Sequence, residues 1–284
     1  MNSGAVRPSR LRKPRLAVAR SRARAGAAFA RAVAAQGARL ILSGRDVAAL
    51  EALATECGAE RCLILPFEAT DFAAIPAIVE QAINWAGRID CLVNNAGISQ
   101  RSLAVDTDFA VYERIVAVDL LAPIALTQAV LPHMVAKGGG RLVAISSVAG
   151  IVGAPMRSGY SAAKHGLFGY FDSVRCETAH LGIEVHVVAP GSVKTNVSRN
   201  ALLADGARRG ESDEAIENGP SPEAAVAEIL TGIAAGRRDL IFATGFEGHI
   251  AALRRSDPEA LFDLMARTFQ KGYAEKMNAP AARP

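Results

Sequence analysis

Three side chains carry the clearest chemistry in this chain of 284 residues. Tyr160 and Lys164, in "YSAAK", stand four apart at the start of a stretch with helical spacing that runs to about Leu181, so they share one helix face. A free phenol titrates near ~10 and is a poor base at neutral pH. An ammonium beside it favours the phenolate, and a phenol so placed can take or give a proton at a reacting oxygen. Ser147 lies thirteen residues ahead of Tyr160, where the apolar run "GRLVAISS" ends, and "NNAG" (94–97) closes another such run. The competing reading is a core tyrosine with a satisfied hydroxyl and a surface lysine. Several marks in order, each at the end of an apolar run, argue against it.

These residues need a frame that brings strand ends together. After residue 37, short runs rich in Val, Ile and Leu alternate with helical stretches: "ARLILSG" (38–44), "RCLILPF" (61–67), "DCLVNNAG" (90–97), "GRLVAISS" (140–147), "IEVHVVAPG" (183–191) and "DLIFAT" (239–244). "RLAVA" (15–19) precedes them as a first strand. Apolar runs without polar alternation suit parallel strands buried on both faces, and right-handed crossovers lay helices on each side. The expected fold is α/β, a doubly wound parallel sheet of about seven strands forming one domain (15–246). A basic, disordered segment (1–14) comes before it and a helical extension (247–284) after it. Ligands of such sheets bind beyond the carboxyl ends of the strands, which puts function in "SGRD", "FEATD", "NNAG", "SSVAG" and "APGSVKT".

NNAG, a Ser thirteen residues before a Tyr, Tyr-x-x-x-Lys, and a Pro-Gly turn leading to Thr195 occur together in this order. On these marks the chain resembles the short-chain dehydrogenase/reductases over roughly residues 15–245. The resemblance implies a Rossmann-type fold and an oxidoreductase that transfers a hydride between a nicotinamide and an alcohol or carbonyl carbon. It makes Tyr160 the acid/base, has Ser147 hydrogen-bond the substrate oxygen, and gives Lys164 the nicotinamide ribose as a second duty. Family members commonly carry an Asn in the helix before the Ser strand, where it helps hold a water for a proton relay to the Lys. Here "AVDLLAP" offers Asp119, which could still serve as the catalytic relay residue because the role can rest on main-chain geometry, although its carboxylate would compete for Lys164. The resemblance further implies that Glu68 and Ala69 lie along the adenine, that Asn95 and Gly97 line the middle of the cofactor, and that Val193 and Thr195 contact its carboxamide.

Selectivity for the adenosine ribose is set where the second strand ends. An acid there suits NAD, and a base able to meet a 2′-phosphate suits NADP. In "LILSGRD" the acid slot is Gly44 and Arg45 follows, which favours NADP(H) with NAD(H) possible, although Asp46 would blunt the preference. Upstream, the phosphate-loop pattern is broken. Aligned on Gly26 as its third glycine, Arg20 and Arg24 replace the first two, where a tight turn and close backbone approach to the pyrophosphate are needed. The favoured explanation is that residues 1–24 are a shifted reading of GC-rich DNA. The others are a catalytically dead relative acting as a binding or scaffold protein, and arginine charge replacing backbone contacts.

Composition narrows the partners. The net charge of +4 misleads, because eleven bases and no acid precede Asp46, leaving 21 bases against 28 acids in the remainder. Such a body does not suit nucleic acid. The Arg-rich tract fits a nucleic-acid arm or a transit peptide in composition, but no signal-peptide h-region follows it, and the expected location is cytoplasmic. No apolar run approaches ~18 residues, so no integral membrane segment is expected. The four cysteines have no CxxC spacing and read as reduced thiols, with no metal. "KTNVSRNALLADGARRGESDEAIENGP" (194–220) is long for a connection and reads as a substrate-covering lid, whose Leu202 and Leu203 favour a hydrophobic alcohol or carbonyl substrate. Within it "TNVSRNALLADG" resembles a branch of the family that includes membrane-associated animal dehydrogenase/reductases. Leu253, Leu261, Leu264, Met265 and Phe269 share helical spacing, as expected of a helix packed on the core or on a partner in a homo-oligomer.

Overall fold

The structure, a computed structural model, describes residues 15–19 and 24–275. The segment 1–14, expected to be disordered, and Arg20 lie outside the described residues. Seven strands pair in parallel: β1 (Arg15–Ala19), β2 (Arg39–Gly44), β3 (Cys62–Pro66), β4 (Cys91–Asn94), β5 (Gly140–Ile145), β6 (Ile183–Pro190) and β7 (Asp239–Phe242). Their order is β3-β2-β1-β4-β5-β6-β7. The helices are α1 (Arg24–Ala34), α2 (Val47–Cys57), α3 (Ile75–Ala86), α4 (Phe109–Val116), α5 (Ala122–Ala136), α6 (Ser158–Thr178), α7 (Glu214–Glu217), α8 (Pro222–Ala234), α9 (Gly245–Ser256) and α10 (Pro258–Thr268).

Successive residues of a strand point to opposite faces, and here both faces are apolar. Leu40 and Leu42 pack with Phe29, Leu50 and Ile229 of α1, α2 and α8, while Ile41 between them joins Ile75, Val130 and Phe171 of α3, α5 and α6. This is the doubly wound arrangement that the unbroken apolar runs predict. Chain order reverses at β1, which is flanked by β2 and β4. Crossovers therefore leave to opposite sides there and open a crevice beyond the strand ends.

Two expectations need correction. The stretch after β7 is not one helix but two, because Pro258 has no N–H and forces Asp257 into an extended conformation (φ −154°, ψ 84°). Asp257 then caps α10 by accepting from Ala260 N at 3.0 Å. Ile250, Ala251 and Leu261 are buried against Val148 and Val152, but Phe269 is exposed. Second, Phe109–Ala136 is one helical span of 28 residues with mean hydropathy 1.8, long and apolar enough by length and composition to cross a bilayer. Scattered polar residues hide it from a search for unbroken apolar runs. In the fold Ile115, Val118, Leu126, Val130 and Met134 are buried, packed beside β4, β5 and α6, as in a core helix.

Residues 194–220 fold down onto the loop that follows β4. Leu202 N donates to Ser99 O (2.8 Å), Arg101 N to Leu202 O (2.8 Å) and Asp108 N to Ala204 O (2.9 Å). Beneath these bonds Asp213 accepts from three guanidinium groups, those of Arg101, Arg209 and Arg157, the last at 3.3 Å. Arg101 and Asp213 are both buried. Burial and the neighbouring Arg157 pull the Arg101 guanidinium down to about 10. Burial alone would raise the Asp213 carboxyl, but the hydrogen bond and charge of Arg101, with Arg209 and Arg157, hold it at about 2. The expected lid is thus a fastened wall. Because an unfolded Asp titrates near ~3.9, the stabilisation is complete above about pH 4 and fades as pH falls toward the folded value. Asp213→Asn should lower stability by about 3–5 kcal/mol at neutral pH, since it strands buried arginines. Urea unfolding should show a gap between parent and variant that is constant from about pH 5 to 8 and narrows below about pH 4. No gap at pH 7, or one that widens in acid, would contradict the assignment.

Candidate active site

The site lies where β4, β5 and β6 end. Just past β5, the Ser146 hydroxyl donates to the Lys164 carbonyl at 2.9 Å, docking α6 against the strand end. Ser147 caps the short helical turn 148–150, its hydroxyl accepting from Ala149 N (3.1 Å) and reaching Pro190 O of β6 (3.5 Å). In α6, Lys164 is buried, and its Nζ donates to Ile145 O at 3.0 Å and lies 3.3 Å from Asp119 Oδ2. The same Nζ is 5.6 Å from the centroid of the Tyr160 ring. Tyr160 is half-buried, and its hydroxyl makes no hydrogen bond to any described residue. Its ring packs against the apolar cluster of Val111, Ile115, Ala163 and Leu202, the last contributed by the fastened wall.

Asp119 competes for Lys164, as its charge predicts. It lies in a π turn, Ala117–Leu121, between α4 and α5, and its side chain is fully buried. Oδ1 accepts from Ile98 N at 2.7 Å, tying the loop after NNAG to the helix. The carboxylate thus partners the ammonium directly, where the expected Asn would have left it uncompensated. Gly97 tests whether a dinucleotide suits this floor. A Cβ added there would meet Asp119 Oδ2 at 3.1 Å and Lys164 Nζ at 3.3 Å, so the bare backbone of Gly97 is what lets the chain lie close against this ion pair. The residues fit a dinucleotide.

The remaining expected positions line the same edge. Gly44 ends β2, and the exposed Arg45 pairs with Glu68 (Nη1 to Oε2, 3.0 Å). Exposed pairs of this kind contribute about 0–1 kcal/mol, so a phosphate could draw the guanidinium away. Asp46 is the N-cap of α2, accepting from Ala49 N at 3.1 Å. Ala69 and Asn95 are buried, while Val193 and Thr195 follow β6 in an irregular segment, half-buried. Gly26 is buried within α1. Arg24 opens α1, exposed, and lines a groove of about 560 Å³ with Arg31, Leu53, Glu56, Lys194 and Glu223.

Sequence reasoning missed Gln100 and Glu247. The fully buried Gln100 accepts from Gly159 N at 2.8 Å and so fixes the backbone next to Tyr160. Glu247, from α9, grips Ser192 just after β6. Neither belongs to a sequence pattern. The polar run "SQRS" after NNAG is the one signal that marked the first.

Comparison with known proteins shows the family and the fold. A sequence model described as short chain dehydrogenase matches residues 24–205. Dehydrogenase/reductase SDR family member 7B of Bos taurus is 37% identical over 254 residues, 87% of this chain and 78% of the relative. The protein of the same name from Xenopus laevis is 35% identical over 260 residues, 87% of this chain and 80% of its own. Among solved structures, a short-chain dehydrogenase from Streptomyces avermitilis is similar with a TM-score of 0.76 and 25% identity, covering 90% of this chain and 97% of that one. A short chain dehydrogenase/reductase from Burkholderia phymatum, solved in complex with NAD, shares the fold with a TM-score of 0.77 at 19% identity over 87% of this chain and 95% of that one.

Because the Asp119 carboxylate partners a buried ammonium, removing it should be costly. Asp119→Ala and Asp119→Asn should each destabilise the protein by about 3–5 kcal/mol in denaturant unfolding, because each removes the charge that partners Lys164. A clearly smaller loss for Asp119→Asn, which can still accept from Ile98 N, would show that this hydrogen bond and not the ion pair is what Asp119 provides.

Proposed function

The chain belongs to the short-chain dehydrogenase/reductase family and is an NAD(P)-dependent oxidoreductase, and on that footing we propose that it interconverts a hydrophobic alcohol and its carbonyl compound with NADP(H), Tyr160 serving as acid/base. This reading is supported by Ser147 standing next to Ser146, whose hydroxyl bonds the Lys164 carbonyl, by Lys164 Nζ lying 5.6 Å from the Tyr160 ring centroid, and by the apolar cluster against which that ring packs. When bound, the dinucleotide supplies the carbon that gives or takes a hydride.

In this reading the Ser147 hydroxyl holds the substrate oxygen, and the Tyr160 hydroxyl donates the proton to it in reduction and removes it in oxidation. The Lys164 ammonium lies 5.6 Å from the ring centroid, and the Asp119 carboxylate, 3.3 Å from that ammonium, balances its charge. Lys164 would also hold the nicotinamide ribose, with Val193 and Thr195 at the carboxamide and Asn95 and Gly97 along the middle. Glu68 and Ala69 would flank the adenine, and Arg45, released from Glu68, would take the 2′-phosphate. Leu202, packed near Tyr160, supports an apolar substrate.

Fluorescence titration and steady-state assays test this directly. Tyr160→Phe should cut turnover of a medium-chain or aromatic ketone by about two orders of magnitude or more, the scale of general acid catalysis, while NADPH affinity stays within about twofold. Substantial residual activity would remove Tyr160 from the role. Arg45→Ala should weaken NADPH about tenfold and leave NADH nearly unchanged, since it deletes one charge-assisted phosphate contact. If both dinucleotides respond alike, Arg45 is not a specificity residue. A parent protein that binds neither would favour the scaffold reading, in line with the arginines at Arg20 and Arg24.

A further inference from the structure

The turn after β6 is gripped from three sides. Gly191 N donates to Phe242 O of β7 at 2.7 Å, and Lys194 N donates to Pro220 O at 3.0 Å. From α9, Glu247 accepts twice from one residue, from Ser192 N at 2.7 Å and from the Ser192 hydroxyl at 2.9 Å. Side chains are excluded on both approaches: a Cβ at Gly191 would overlap Glu247 Oε2, and one at Gly219 would overlap Ser192 O. Pro190 O on this turn also lies within 3.5 Å of the Ser147 hydroxyl.

A carboxylate engaging both donors of one residue fixes that residue's backbone and side-chain torsions together. Glu247 sits in the first turn of α9, where the helix dipole favours a negative charge. One residue beyond Ser192 the chain reaches Val193, and then Thr195. We propose that Glu247 is a positioning residue of the cofactor site: from the helical extension after β7, it sets the turn whose Val193 and Thr195 meet the nicotinamide end. This rests on the NADP(H) reading above. It also gives the extension, which lies beyond the matched residues 24–205, a part in cofactor recognition.

The test uses the full chain with Glu247→Ala and Glu247→Gln, titrated with NADPH and with 2′-phospho-ADP-ribose, which lacks the nicotinamide. Loss of hydrogen bonds to a charged group should make Glu247→Ala bind NADPH about tenfold more weakly. Its affinity for 2′-phospho-ADP-ribose should stay within about twofold, because the adenine end is held elsewhere. Glu247→Gln should recover NADPH binding, since its amide can accept from Ser192 N and donate to the hydroxyl. Without ligand, amide hydrogen exchange over residues 191–196 should quicken in Glu247→Ala and not in Glu247→Gln. Equal weakening of both ligands would mark a general structural role and overturn the proposal. Unchanged NADPH affinity or unchanged exchange would overturn it as well. If the parent binds no dinucleotide, the cofactor reading fails and takes the link to the nicotinamide with it, while exchange alone then judges the brace.

Discussion

Taking the Lys164 ammonium out of water sets the terms for its whole neighbourhood. A buried charge must be paired and hydrogen-bonded, and each partner comes from a different element. Ile145 O is the last carbonyl of β5, and Asp119 comes from the π turn between α4 and α5. Asp119 in turn holds the loop after NNAG through Ile98 N, and the Lys164 carbonyl receives Ser146. Sheet end, helix junction and loop are thereby fixed about one nitrogen atom. The Tyr160 phenol stands a turn away on the same helix and inherits that rigidity.

Much of this was legible because short-range chemistry dictated it. "RLILSG" reads as a buried parallel strand since both of its faces meet helices, and Tyr160 with Lys164 reads as one helix face since their spacing is local. The break at Pro258 was missed although a missing N–H is a property of the residue itself, because the apolar spacing of Leu253, Leu261, Leu264 and Met265 runs across it. Pairings across long stretches of chain also escaped. Arg101 and Asp213 are 112 residues apart, and Ser192 and Glu247 are 55 apart. Each side chain alone looks like an ordinary surface charge, and only the folded path shows that a partner removes it from water. The π turn escaped for a related reason: its backbone pattern differs from α by one hydrogen-bond step, which composition does not encode.

The fastened wall and the basic N-terminal stretch show charge used in opposite ways. Around Asp213 three arginines are drawn inward and immobilised by one carboxylate, so their charge stabilises a shape. Arg45, by contrast, stays exposed and loosely paired with Glu68, available for exchange. Arg24 is likewise exposed at the start of α1. Arginine content by itself therefore says little; burial and the count of nearby acids decide whether a guanidinium serves as a strut or as a contact.

The π turn at Ala117–Leu121 carries a consequence for how this chain can change over generations. Each residue advances a helix by about 100°, so the additional residue in a π turn resets the phase of everything beyond it. With that residue present, Asp119 faces Lys164 while Leu126, Val130 and Met134 further along face the sheet. Losing one residue here would swing one set or the other outward, whichever amino acid was removed. The phase of the helix thus constrains length at this junction apart from residue type: a single codon lost or gained would separate the ammonium's counter-charge from the core in one event.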